Sequence, residues 1–438
     1  MRNQILINLL EKLNSKGIEL DKSDLERIQN LELARINILS KITSKKNLTS
    51  IIDLLKTQTI KSINVLEAIV KIIDKAPCYK SGYLAALAAQ DKEIYNYMDL
   101  KHVPFIRYIA NADSDRVDDA ISAAKQCIKS QMAPTKVCSI TNLVAHAKTK
   151  EQANMALDVL KTNSLTTNQK SVDLIDSIVN AKNKDSAQYA TNAIFDTYVV
   201  DDLSNDFEEI IKVIANSKDS RKAKVAFDYL SHCDYDDEDL LSIIKVFVNA
   251  KDYNRAQIAY DIAMEKVVRT RNLQLPLARS VANARSESRA GDAYYAAINS
   301  ANLQPEFAKK ITKLIAQANS DKQAALASHF ISNYYCNEQD IDVIKAITKT
   351  DFDVPTYTTM NSNNVEAALS FFKNSDDNEE KTLSLFLNVL FDGDDYIKFI
   401  DYYEKDPKGA LEALKDVTKT CNQEFDTGKT YVKNRRFI

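Results

Sequence analysis

Histidine and cysteine are the side chains best able to ligate a transition metal or attack a substrate, and this chain of 438 residues contains four of the first and six of the second. His102, His146, His232 and His329 stand too far apart in sequence to form a local metal motif. Cys78, Cys127, Cys138, Cys233, Cys336 and Cys421 include no pair at the spacing of roughly two to four residues that a zinc half-site needs, so they are expected to be buried free thiols. Gly428, Lys429 and Thr430 look like the end of a phosphate-binding loop, but Gln423 stands where such a loop requires glycine and no strand is expected before it. Asp392, Gly393, Asp394 and Asp395 lack the alternating oxygen ligands of a calcium loop. These residues point away from an enzyme, and no cofactor or metal is expected.

Composition narrows the elements that could position any other chemistry. Only 6 Gly and 7 Pro occur, which leaves little turn chemistry for β-hairpins, while hydrophobic residues make up 45% of the chain, ample for a core. The balance of 58 basic against 61 acidic side chains gives a net charge of -3, so global charge supplies no attraction to nucleic acid or to an acidic membrane. The opening MRNQILINLLEKLNSKG reads as an amphipathic helix and not as a signal peptide, and no run reaches the roughly 18 apolar residues of a membrane span. The expected location is the cytoplasm, or an assembly formed there, a virion included.

A repeat emerges from the fragments IANAD, VAHAK, IVNAK, IANSK, FVNAK, VANAR and IAQAN. Their third residues, Asn111, His146, Asn180, Asn216, Asn249, Asn283 and Gln317, follow at intervals of 35, 34, 36, 33, 34 and 34. Two residues before this anchor stand Ile109, Val144, Ile178, Ile214, Phe247, Val281 and Ile315; six before it stand Phe105, Ile140, Leu174, Ile210, Ile243, Leu277 and Ile311. Four-residue spacing puts both rows on one face of a first helix, and a small residue always follows the anchor. Seven and ten residues after the anchor, six consecutive repeats carry alanine at both places, from Ala153 and Ala156 to Ala324 and Ala327. Paired methyls at this spacing let a second helix approach closely. Pro104, Pro134, Pro276 and Pro305 fall in the loop or at the start of first helices, where an N–H is unpaired anyway. Weaker copies lie near Lys41, Lys75 and Thr348.

Three polar rows ride on this framework. The anchor side chains are a ligand-reading ladder or, as expected here, groups that cap the first helices or bond the backbone of the next turn. A basic row two residues after the anchor, Lys148, Lys182, Lys218, Lys251 and Arg285, is explained by the negative end of the preceding helix. Four residues before the anchor stand Arg107, Asn142, Asp176, Lys212, Lys245, Arg279 and Lys313, so the last four repeats place a cation at one position, a solvated face or a track for an acidic peptide or phosphate backbone. The basic tail with Arg435, Arg436 and Phe437 is a further candidate for docking onto a partner, against the alternative of a frayed terminus.

The expected fold is all-α: a right-handed α-solenoid of helix-turn-helix repeats of about 34 residues with helical caps. The period and the small residues of the second helix resemble the tetratricopeptide class, and more loosely the HEAT class, in architecture over roughly 36–350. The chain lacks Trp altogether and has no recurrent turn Gly or closing Pro, so no partner residues carry over. Residues 1–35 are read as an N-terminal helical cap, 36–355 as the repeat region and 356–438 as a C-terminal helical module with its tail. Such arrays present long surfaces, and the functional expectation is a non-enzymatic scaffold or adaptor for protein partners. Its rivals are a structural component of a large assembly, built from copies of the chain as in a phage or viral particle, and nucleic-acid binding through the basic row. No membrane partner is expected.

Overall fold

The computed structural model describes residues 2–162, 171–196, 205–233, 239–301, 304–333, 336, 338 and 341–349. Every element among them is helical, and the chain divides into two compact units, Met1–Tyr235 and Asp236–Ile438. The module expected at 356–438 lies outside the described residues. No helix among them is long and apolar enough to cross a membrane.

The first unit opens with helices Arg2–Asn14, Lys22–Ile28, Leu33–Leu39, Leu48–Lys56, Ile63–Asp74, Tyr79–Gln90 and Lys92–Met98. First helices His102–Asn111, Pro134–Ala145, Ser171–Val179 and Asn205–Ala215 then alternate with second helices Val117–Lys129, Lys150–Lys161, Lys184–Asp196 and Ser220–Leu230. In the second unit, first helices Leu240–Asn249, Gln274–Ala282, Pro305–Ala316 and Ile341–Lys349 alternate with Tyr253–Met264, Glu287–Ala301 and Asp321–Asn333. Pro134 and Pro305 occupy the opening turn of their helices, where proline's fixed φ fits and its missing N–H costs no helical bond.

Both apolar rows of the first helices are sealed from water: Ile109, Val144, Ile178, Ile214, Phe247, Val281 and Ile315 are each 0% exposed. So are all twelve paired alanines, from Ala153 and Ala156 to Ala324 and Ala327. A methyl with no accessible surface leaves no room for three more carbons. Ala290→Leu is expected to destabilise the fold by about 1 to 3 kcal/mol through overpacking. An unchanged urea midpoint would show that Glu287–Ala301 does not pack closely at that face.

The second helices start alike for a reason of local chemistry. Three residues after the anchor stand Thr149, Asn183, Asp219, Asp252, Ser286 and Ser320, all good N-cap types. Thr149 Oγ1 accepts from Gln152 N at 3.2 Å, Asn183 Oδ1 from Ser186 N at 2.8 Å, and Asp252 Oδ1 from Arg255 N at 2.9 Å. Ser286 Oγ and Ser320 Oγ accept from Arg289 N and Gln323 N, each at 3.2 Å.

Successive hairpins are also tied to one another through the backbone. In the first unit Lys148 N donates to Val179 O at 3.2 Å and Lys182 N to Ala215 O at 2.9 Å. In the second, Lys251 N reaches Ala282 O at 3.4 Å, Arg285 N reaches Ala316 O at 3.0 Å and Asn319 N reaches Thr348 O at 2.9 Å. The donor is always two residues past an anchor, and the acceptor is a carbonyl at the end of the next first helix. That carbonyl has no partner within its own helix, so each bond satisfies a group the helix leaves open.

Two short helices, Lys92–Met98 and Lys266–Thr270, connect a second helix to the first helix that follows it. Ile94, Met98 and Val268 pin them, at 2%, 0% and 0% exposure. Gly82 has a comparable structural reason. A Cβ there would sit 2.4 Å from Asn47 Oδ1, and Asn47 is held in place by its own bond from Nδ2 to Ile73 O at 2.7 Å. The helix Tyr79–Gln90 needs glycine where it crosses that side chain.

Candidate partner-binding surface

The cation row lies on the first helices, one turn before the anchor and opposite the sealed apolar rows. Arg107, Lys212, Arg279 and Lys313 are exposed and Lys245 is half-buried. In the first unit the row is broken, because Asn142 and the exposed carboxylate of Asp176 stand between Arg107 and Lys212. Lys212 has an acidic neighbour, Glu209, at 3.9 Å across an exposed helix turn, a pair of little energetic weight. In the second unit Lys245, Arg279 and Lys313 occupy the same position on three consecutive first helices, which pack in sequence against one another. Arg435, Arg436 and Phe437 lie outside the described residues.

The anchor side chains border this row and are themselves exposed. Asn216 Nδ2 donates to Lys212 O and Asn283 Nδ2 to Arg279 O, both at 2.9 Å, and His146 Nδ1 lies 2.9 Å from Asn142 O. Each thereby occupies a carbonyl in the last turn of its own helix, as expected. Asn180 differs, donating to the Asp176 carboxylate at 2.8 Å. Gln317, one methylene longer, reaches back to the preceding hairpin and donates to Asn283 O at 3.0 Å.

The second basic row serves a helix end, but of the next hairpin and not of its own. Lys148 Nζ donates to Asn180 O and Ala181 O at 2.5 and 3.0 Å, and Lys251 Nζ to Ala284 O at 2.9 Å. Residues six past the anchor join them: Gln152 Nε2 reaches Ala181 O at 3.2 Å, Ser186 Oγ reaches Ser217 O at 3.1 Å, Arg255 Nη1 reaches Ala284 O at 2.9 Å and Arg289 Nη1 reaches Ala318 O at 2.6 Å. Cations here meet the partial negative charge of a helix C-terminus while binding one hairpin to the next. These side chains are engaged in holding the fold together.

The remaining titratable groups follow from burial. Cys127 and Cys138 are buried, as expected of inert thiols, whereas Cys78, Cys233 and Cys336 are half-buried. Burial pushes the Cys127 thiol up to about 12. His102 is 1% exposed, with neither ring nitrogen hydrogen-bonded, and Tyr95 meets its ring edge-on at a centroid distance of 4.8 Å. Desolvation alone drives its pKa down to about 4. Asp292 is raised to about 6, first by burial and then by the neighbouring Asp321 carboxylate. Among the described residues no three His, Cys, Asp or Glu side chains converge as a metal site.

Comparison of the chain with protein-family models, with curated proteins and with solved structures gave no match in any of the three.

Proposed function

We propose that the chain is a non-enzymatic scaffold or adaptor whose hairpins form right-handed α-solenoid arrays of about 34-residue repeats, similar in architecture to the tetratricopeptide and HEAT classes, and that it binds protein partners along its first helices. What carries the reading is the recurrent tie from one hairpin to the next, a backbone N–H two residues past five of the seven anchors given to the last turn of the following first helix. Interactions of this kind make an array in which each unit depends on its neighbours, and the array exposes one position of every repeat as a row. The exposed Arg279 and Lys313, with Lys245 between them and the first unit in sequence, provide such a row.

The test is light scattering of the purified full-length chain, alone and after incubation with lysate of its source. The scaffold reading expects a chain-sized species that gains the mass of a second protein. Arg279→Glu/Lys313→Glu should lose that gain while its melting temperature stays nearly constant, since exposed charges contribute little to folding. A ring or polymer of the chain by itself would replace this reading with that of an assembly component.

A further inference from the structure

On the outer face of the second helices, the residue eight past the anchor neighbours the residue twelve past it, one turn on. In three repeats the first of these donates to the second: Gln188 Nε2 to Asn192 Oδ1 at 2.8 Å, Lys224 Nζ to Asp228 Oδ2 at 2.5 Å and Gln257 Nε2 to Asp261 Oδ1 at 3.0 Å. In the helix Glu287–Ala301 the two places hold Gly291 and Tyr295. Glycine weakens a helix interior, so it needs a reason there. At Gly82 the reason is the Asn47 side chain, but a Cβ on Gly291 would meet no atom within 4 Å. Tyr295 is 63% exposed and meets the ring of Tyr294 edge-on at a centroid distance of 5.4 Å. The fold neither fills the place above Gly291 nor covers the ring beside it.

The surroundings of that place are negative. Glu287, one turn before Gly291, is exposed and accepts from Asn254 Nδ2 at 2.7 Å; Asp261, on the neighbouring second helix Tyr253–Met264, is exposed and accepts from the Gln257 amide. Both donors are neutral, so both charges stand uncompensated. The cations of these two helices are engaged elsewhere: Arg255 by Asp252 and Ala284 O, both at 2.9 Å, and Arg289 by Asp321 and Ala318 O, both at 2.6 Å. The tyrosine pair feels the field, since the Tyr294 phenol is raised above its usual range by burial first, then by its hydrogen bond to Glu265 and the charges of Glu265 and Asp261. A helix rises about 1.5 Å per residue, which sets Glu287 and Tyr295 each about 6 Å from Gly291 along the axis. A guanidinium lying between them offers its plane to the ring and its N–H fork to the carboxylates, whereas an ammonium has the charge without the plane. Lys224 places a cation at the same position of its own repeat, from within the chain. We propose that Gly291, Tyr295, Glu287 and Asp261 receive an arginine side chain from a basic segment of a partner protein, the guanidinium stacked on the Tyr295 ring and its charge met by the two carboxylates. This surface lies on second helices and does not depend on the cation row of the first helices.

Fluorescence anisotropy of the full-length chain with labelled synthetic peptides tests it. One peptide alternates arginine with serine, and a second has lysine in place of every arginine. The arginine peptide is expected to bind at least about threefold more tightly than the lysine peptide, because only arginine stacks and forks. Tyr295→Ala should erase that preference. Glu287→Gln/Asp261→Asn, which keeps the oxygens that accept from Asn254 and Gln257, should weaken binding at least about fivefold. Glu151→Gln/Asp158→Asn, an equal charge change on the second helix Lys150–Lys161 of the first unit, should lose little. Gly291→Lys has room for its side chain and supplies the cation from within, as Lys224 does, so it should exclude the peptide while the melting temperature is held. Equal loss in the two carboxylate variants, or an arginine preference that survives Tyr295→Ala, would reduce the site to unspecific charge and overturn the proposal. Undiminished binding to a folded Gly291→Lys variant would overturn it as well. Displacement of the peptide by spermidine at matched charge would give the site to small cations in place of a protein partner.

Discussion

Acidification from pH 7 to about pH 4 is expected to act on the two units in opposite directions. In the first, His102 is neutral in its buried site and reaches its folded pKa only at about 4, whereas an unfolded histidine takes up a proton near 6.5. As pH falls below about 6.5 the unfolded chain binds the extra proton, so stability is lost progressively until the folded value is passed. The gap of about 2.5 pH units corresponds to roughly 3 kcal/mol, since each unit is worth about 1.36 kcal/mol. In the second unit Asp292 has the reverse linkage. Its folded pKa stands at about 6, above the unfolded value of about 3.9, so the folded state binds the proton first and gains stability as pH falls through that window. Hydrogen exchange read by mass spectrometry separates the two effects: amides of His102–Asn111 should open more readily at pH 4.5 than at pH 7, after correction for intrinsic exchange, and those of Glu287–Ala301 less readily. His102→Leu should abolish the first change and Asp292→Asn the second. Uniform loosening of both segments, unaltered by either substitution, would contradict both assignments.

How far this chemistry is legible in the sequence depends on whether identity or geometry repeats. The apolar rows and the paired alanines recur as residue types, and a buried methyl must recur as a type because space dictates it; Ala153 and Ala324 fill the same slot. His102 stands nine residues before its anchor, three residues before the outer apolar row. Val137, Ser171, Phe207, Leu240 and Ala308 stand at the equivalent position and are buried, while Gln274, in the same series, is half-buried. A histidine in that series is a polar ring in a slot that is apolar in four of the other six repeats.

The ties between hairpins are less legible, because the carbonyl at the end of a helix accepts from any donor that reaches it. Gln152, Ser186, Arg255 and Arg289 share that task with different side chains. The second basic row carried the correct physical idea, a cation at a helix C-terminus, but sequence distance suggested the preceding helix where three-dimensional proximity supplies the next one. The N-cap row from Thr149 to Ser320 varies among Thr, Asn, Asp and Ser, which are interchangeable as acceptors for an amide N–H and dissimilar as letters. The short helices Lys92–Met98 and Lys266–Thr270 fall below the length at which periodicity can be recognised, and single buried side chains such as Met98 and Val268 define them.

The most direct measurement of the central claim, that the hairpins are interchangeable units of an array, is thermal and urea unfolding of two deletions in the second unit. Removing Arg285 through Ala318 takes out one second helix and one first helix and joins Ala284 to Asn319. The amide of Asn319, which already donates to Thr348 O at 2.9 Å, then stands directly after the Gln274–Ala282 helix, where Arg285 stood. The tie to the following hairpin is thereby retained in register. Removing Arg285 through Ala301 alone deletes a second helix and brings two first helices into succession, so that their sealed rows lose the paired alanines of Ala290 and Ala293. Stability in an array is approximately a sum over units and their neighbours. The whole-period deletion should keep its helicity per residue and a cooperative transition, while the half-period deletion should lose the transition of the second unit. Collapse of both variants alike would contradict the array and assign these helices to a single non-modular core.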